Sequence, residues 1–450
     1  MRTRLSTISL YFLLFAMVFS SLAYLLKVVL PGQLGVIAPW IKDFFLFLFL
    51  ATILCLVAIR MKLSINFRSI DGLICLYLFL CLFKYITSPM PRFFSFQSFW
   101  AMTIGPALFI FFKQIPPLDQ KIIDKILKLY FIWTILMIVI AIVIYLSGQE
   151  VFFQKIGLTD YVTQLGGEQH SLTMFSMRNG EWVPRMTGLI LSPLEMAFLL
   201  MLSIALAIIC IKTRTRTVLY SIIIFVSFLL VSNRSIIVGT VVGFTGLWFM
   251  KLKKRYSILI SMLVILMIPR LIIYEINHYT TAFLSGKTSD SAIIHMNDLL
   301  IRGPALVLDN WKGAGVGTTS GKFGLLARAK DESISEAFVG NIESFYYSLS
   351  VQLGILGLFL YLLIFLRLIF LFNSARLRYP HISSYCNGAI FGIISLLTGA
   401  VFLPVLDSRL LNIILWSIIG LSNMVILHIE GRFKQTTIQK SYHNLLLVEH

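Results

Sequence analysis

Residues 129–147 read LYFIWTILMIVIAIVIYLS, a run with no charged side chain. About 20 apolar residues in helical conformation cross the hydrocarbon core of a bilayer, so this stretch reads as a spanning helix. The rest of the chain repeats it. Hydrophobic residues make up 58% and charged residues 13%, and the mean hydropathy is +0.88. A soluble domain carries about 25% charged residues. Twelve candidate spans follow: 7–25, 39–59, 70–87, 97–112, 129–147, 187–211, 218–232, 236–250, 256–274, 345–372, 383–404 and 410–428. They predict an all-α fold, a polytopic transmembrane helix bundle of about 12 spans with one large periplasmic loop, and a single integral membrane domain over 1–450. The first run is long and no small-residue cleavage site follows it, so it reads as a span rather than a signal peptide.

Lysine and arginine set the expected orientation. With the N-terminus in the cytoplasm, every cytoplasmic segment carries at least two of them, for example Lys121, Lys125 and Lys128, or Lys251, Lys253, Lys254 and Arg255. Apart from the polar loop before Met186, the short external turns carry one or none. That is the positive-inside pattern. It accounts for much of the +18 net charge, which then reports topology and attraction to anionic membrane lipids, not nucleic-acid binding. The five cysteines fall in or near spans without ligand-like spacing and read as small core residues. Few charges lie deep in the spans; Lys84, Glu195, Arg270 and Arg367 are the exceptions. No internal repeat or soluble domain is evident.

Two external loops are long enough to do work. The first, 148–185, ends in Glu181-Trp182-Val183-Pro184-Arg185. The second, 276–342, contains an amphipathic stretch over 292–310, with Ile293, Ile294, Leu299, Leu300 and Leu306 apolar and Pro304 expected to kink or end it. Arg185 stands at the mouth of the sixth span, where Ser192-Pro193 is expected to kink the helix and free a carbonyl. Arg234 stands in the tight turn Val231-Ser232-Asn233-Arg234-Ser235. Arg185 reads equally as an interfacial anchor or as a functional cation, and Arg234 as an anchor or as a fork for phosphate. Beyond Arg302 comes Asp309-Asn310-Trp311-Lys312-Gly313-Ala314-Gly315-Val316-Gly317-Thr318. Its alternating glycines permit close backbone approach and can offer N–H groups to an anion; taken alone, such a stretch reads first as just a turn. Glu343 opens the tenth span, as a helix-start carboxylate or as a desolvated base. His170, His278 and His295 lack metal-ligand spacing; no metal site and no cofactor is expected. Arg409, beside Asp407 in the last external turn, reads as a structural ion pair.

Taken in order, Arg185-x-x-Gly188 with Ser192-Pro193, Asn233-Arg234-Ser235, Gly313-x-Gly315-x-Gly317, and Glu343-Ser344 followed by Gly354-x-x-Gly357 resemble the O-antigen ligase/polymerase superfamily of bacterial inner-membrane proteins, most of all its Wzy-type polysaccharide polymerases. The resemblance covers the topology of nearly the whole chain. Arg302 and Gly313 reproduce an arginine-ten residues-glycine motif of the large loop; neither Arg178 nor Arg185 has a glycine at that distance. Ligases of the superfamily carry His followed by Asn, Ser or Gln where this chain has Glu343-Ser344.

The resemblance implies a metal-independent, inverting-type glycosyltransferase of lipopolysaccharide biosynthesis in the cell inner membrane, with its active site facing the periplasm. Donor and acceptor would be undecaprenyl-diphosphate-linked glycans, with a chain-length regulator protein as a further partner. Arg185, Arg234 and Arg302 would bind the diphosphate and Glu343 would be the base. Trp311, Gly313, Gly315 and Gly317 would form the glycan-binding loop, with Trp182, Tyr346 and Tyr347 stacking on sugars. The alternatives are an O-antigen ligase with lipid A–core as acceptor, a lipid-linked oligosaccharide flippase, and a purely structural membrane subunit.

Overall fold

A computed structural model of the 450-residue chain describes residues 2–30, 40–60, 69–116, 118–157, 175–178, 181–190, 192–231, 233–250, 298–319, 339, 342, 344–402 and 408–448. The helices are α1 (Arg2–Val29), α2 (Ile41–Arg60), α3 (Ile70–Ile86), α4 (Arg92–Gln114), α5 (Gln120–Leu146), the short α6 (Gln149–Lys155), α7 (Pro193–Cys210), α8 (Arg214–Val231), α9 (Arg234–Phe249), α10 (Gly303–Asp309), α11 (Phe345–Arg378), α12 (Ser383–Ala400) and α13 (Arg409–Val448). Among the described residues, nine helical segments are long and apolar enough to cross a membrane. Eleven of the twelve expected spans coincide with helices. Of these, α3 and α9 are the short ones, at 17 and 16 residues. The twelfth, 256–274, lies outside the described residues.

The outside of the bundle is apolar. Phe47, Phe79 and Leu219 are 68%, 67% and 61% exposed. Soluble proteins avoid extended apolar surface of that kind; lipid accepts it. The fold is that of a multi-pass, membrane-embedded helical bundle.

One helix forms its axis. In the apolar 18-residue stretch of α13 within Arg409–Gly431, 94% of the residues are buried, against 22% in those of peripheral α2 and α8. Its Trp416 packs on Phe109 of α4 and Phe365 of α11, and Asn412 donates to the Ala101 carbonyl of α4 at 3.2 Å. Between α9 and α12 small residues bring the backbones together. A Cβ added at Gly239 would lie 2.7 Å from the Ser395 carbonyl oxygen, and one at Gly246 would lie 2.8 Å from Ile394. Lipid tails give helices no hydrophobic reason to associate, so close packing of this kind supplies the attraction.

Contacts between helix termini sort them into two ends. At one end Lys113 pairs with Asp71 at 2.6 Å, Tyr385 donates to Asp124, and Arg376 donates to the Met250 carbonyl at 2.9 Å. At the other, Arg409 pairs with Asp43 at 3.3 Å, Met186 N–H donates to the Leu230 carbonyl, and the Tyr346 hydroxyl donates to the Leu397 carbonyl. These pairings are what an alternating up-and-down chain requires. The Arg409 ion pair forms across helices with Asp43; Asp407 lies outside the described residues.

Several local expectations are corrected. Ser192-Pro193 does not kink a helix: it starts one. The Ser192 hydroxyl accepts the Glu195 N–H at 3.3 Å and Pro193 occupies the first turn, where its missing N–H has no partner to lose. The sixth span therefore begins at Pro193, and Glu195 is a first-turn residue rather than a deep charge. The stretch expected as one amphipathic helix is described from Asp298, as a π-helical turn to Arg302 followed by α10. Pro304 sits in the first turn of α10 instead of breaking it. Outside the helical bundle, Phe175–Arg178 and Glu181–Pro184 pair as a short antiparallel hairpin within the first loop. Its signal in the sequence is Asn179-Gly180 between two short segments. Of the cysteines, Cys81 and Cys386 are buried as expected, while Cys55 is exposed on α2.

Candidate functional site

The described segments that carry Arg185, Arg234, Arg302 and Trp311 lie at the end of the bundle marked by Arg409, Met186 and Tyr346. Arg185 is half-buried there, and its segment is tied down on both sides. The Gln149 side chain, at the start of α6, donates to the Arg185 carbonyl at 2.8 Å and accepts the Thr187 N–H at 3.0 Å. Met186 N–H reaches the Leu230 carbonyl in the last turn of α8 at 3.2 Å. Gly188 sits so close to α5 that a Cβ would meet that of Ala141 at 2.5 Å. Arg234 opens α9, shortly beyond Leu230, where the Asn233 side chain accepts the Ser235 N–H at 3.0 Å. The segments carrying Arg185 and Arg234 are thus neighbours. The side chain of Arg234 lies outside the described residues, as do that of Trp182 and the whole of Glu343.

Arg302 is exposed at the end of the π-helical turn. That turn is bound to the start of α11 by the Tyr347 hydroxyl, which donates to the Leu299 carbonyl at 2.9 Å. Tyr346 and Tyr347, expected as sugar platforms, spend their hydroxyls tethering α12 and the Arg302 segment to α11. Trp311 is different. It is 56% exposed, with the Lys312 ammonium 5.1 Å from its ring centre.

The glycine stretch is a turn that packs on protein. Gly313, Gly315 and Gly317 all have positive φ, at 90°, 113° and 96°, but their N–H groups do not await an anion. Gly313 N–H donates to Asn310, Ala314 N–H to Val351, Gly315 N–H to Gln352 and Val316 N–H to Lys84, all backbone carbonyls. Gly317 N–H donates to the Gln352 side-chain oxygen at 2.7 Å. These amides plug a break in a membrane helix. α11 is interrupted at Gly354, whose φ of 81° and ψ of 172° are not helical, and Ile355 N–H donates to the Trp311 carbonyl at 3.0 Å. A Cβ at Gly313 would come within 2.6 Å of Gly354 N, and one at Gly354 within 2.8 Å of Lys312 C. Glycine faces glycine because neither backbone tolerates a side chain between them. Irregular backbone at membrane depth persists only where protein or water satisfies it, and here the turn does so.

Beneath the plug lies a buried polar chain. The Gln352 side-chain nitrogen donates to Ser348 Oγ at 3.0 Å, and Ser348 Oγ shares a hydrogen bond with Thr319 Oγ1 at 2.8 Å. On the far side, Lys84 of α3 donates to the Gly313 carbonyl at 3.0 Å and Ser88 to the Val316 carbonyl at 2.8 Å. In the sequence Lys84 stands out only as a charge inside a span, and nothing there singles out Gln149, Ser88 or Gln352.

The arrangement is a multi-pass helical membrane protein with arginine-bearing segments and an exposed tryptophan at one end, next to an interrupted helix. Compared with protein-family models and with curated proteins, the chain matches none.

Proposed function

We propose that the chain is an integral-membrane glycosyltransferase that polymerises undecaprenyl-diphosphate-linked repeat units at the periplasmic face of a bacterial inner membrane, with twelve spans and both termini cytoplasmic. The observation that carries this reading is that segments bearing Arg185, Arg234, Arg302 and Trp311, far apart in sequence, lie at one end of the bundle. It is the end that the Lys/Arg asymmetry assigns to the outside. Their order along the chain is that of the family it resembles.

The chemistry asks for three things. A hydroxyl of the acceptor's terminal sugar attacks the anomeric carbon of the donor glycan. The bond from that carbon to the diphosphate breaks, and undecaprenyl diphosphate leaves with the electron pair. The hydroxyl proton passes to a base. Arg185, Arg234 and Arg302 supply positive charge where the diphosphate develops its own negative charge, Glu343 takes the proton, and Trp311 offers a face to a sugar ring. Glutamate in place of the ligases' histidine favours polymerase over ligase.

Deletion of the coding sequence, with analysis of surface and lipid-linked glycans, tests this. Loss of long chains, leaving lipopolysaccharide capped with a single repeat unit, is the expected result. Polymer that stays on undecaprenyl diphosphate would identify a ligase, and repeat units trapped on the cytoplasmic face a flippase; either would overturn the proposal.

A further inference from the structure

The plug in α11 is held from two sides, and one of them is a cation on a different helix. Lys84 lies in the last turn of α3, half-buried, and is bonded to the turn twice. Its ammonium donates to the Gly313 carbonyl at 3.0 Å, and its backbone carbonyl accepts the Val316 N–H at 3.4 Å. Ser88 adds a third bond from the same side. Every other hydrogen bond described from residues 313–319 to a membrane helix runs to α11, through Ser348, Val351 and Gln352. With the α3 side removed, the interrupted helix alone would hold its own plug.

A charge suits this place. The half-helix from Phe345 to Leu353 ends at the break, and its last carbonyls form the negative end of a helix dipole, which favours a nearby cation. A lysine near the hydrocarbon margin also needs an acceptor to offset its lost hydration, and the Gly313 carbonyl is one. The cation at the turn of the α3–α4 hairpin is used differently: Arg92 donates to the Tyr85 and Ile86 carbonyls, each at 3.1 Å, closing its own hairpin.

We propose that Lys84 is a positioning residue whose ammonium clamps the 311–319 turn into the break of α11 and so sets the place of Trp311 and, through α10, of Arg302. The clamp rests on geometry; its bearing on substrate rests on the polymerase reading of those two residues. For the test, the full chain is purified in detergent with its native cysteines replaced by alanine. Val316, fully buried on the α3 side of the turn, is changed to cysteine, and a maleimide reports turn opening. Lys84→Met should label about 10–100-fold faster than the parent, the effect of one charged hydrogen bond on an opening equilibrium, and Lys84→Arg should stay near the parent rate. Labelling of Lys84→Met at the parent rate overturns the proposal. Should Lys84→Met elute as aggregate, Lys84→Gln, which keeps a donor without the charge, takes its place under the same criterion. In cells, Lys84→Met should shorten polymer and Lys84→Arg restore it. Faster labelling with unchanged polymer would uphold the clamp and refute the roles given to Trp311 and Arg302, so the two failures are distinguishable.

Discussion

Replacing Gly354 with alanine probes the interrupted helix directly. At φ 81° and ψ 172° the residue occupies a region that is essentially glycine's alone, and holding another residue in such a conformation costs about 1–3 kcal/mol. The added Cβ would also meet Lys312 C and O, both at 2.8 Å, and Trp311 O at 2.9 Å. All three are backbone atoms and cannot rotate aside, so overpacking adds about 1–3 kcal/mol. The two terms together come to about 2–6 kcal/mol. One escape exists: alanine can continue the helix, gaining about 1 kcal/mol over glycine, but a straight helix expels the turn and forfeits its bonds to Val351 and Gln352. A net loss survives on either route. The assay is the midpoint temperature at which monodisperse protein in detergent is lost, with Gly431→Ala as control, since a Cβ there meets nothing within 4 Å. Gly354→Ala should fall well below wild type while Gly431→Ala does not. Equal midpoints for the two variants would refute the account of the break.

Three further outcomes are expected. Glu343→Gln, which keeps shape but cannot take a proton, should lose polymer at normal membrane protein level, because a general base contributes about 10²–10⁴-fold in rate; wild-type chain length would make the residue a helix cap. Arg→Lys at 185, 234 and 302 should impair polymerisation, since an ammonium lacks the planar fork for phosphate; normal polymer from all three would make them lipid anchors. Reporter fusions after Lys330 should read periplasmic and fusions after Lys434 cytoplasmic, and a reversed reading at either point would overturn the orientation.

The apolar runs make the helices legible, because length and hydropathy alone decide whether a segment can cross lipid. What those runs do not carry is partnership. Alternating glycines look the same whether their amides face an anion or a helix break, and the acceptor at Gln352 lies 35 residues from Gly317. Lys84 is visible as an oddity, but its carbonyl partner is 229 residues away. Ser192-Pro193 misleads because proline breaks a helix interior yet suits a first turn, and the apolar run continues across both. Tyr346 and Tyr347 show in the sequence as rings, while the Leu397 and Leu299 carbonyls that take their hydroxyls lie 51 and 48 residues away.

The burial of α13 has a consequence for how the chain is made. It is the last of the described helices to leave the ribosome, and it is the one the others surround. During synthesis, at about 5–20 residues per second, the earlier helices must wait in the bilayer with their inner faces uncovered, the Ala101 carbonyl on α4 still lacking Asn412 and the Tyr130 hydroxyl still lacking Ser417. The inner faces of α4 and α5 are therefore covered only once α13 arrives, and a ribosome that stops before Arg409 leaves those groups without the partners that α13 brings.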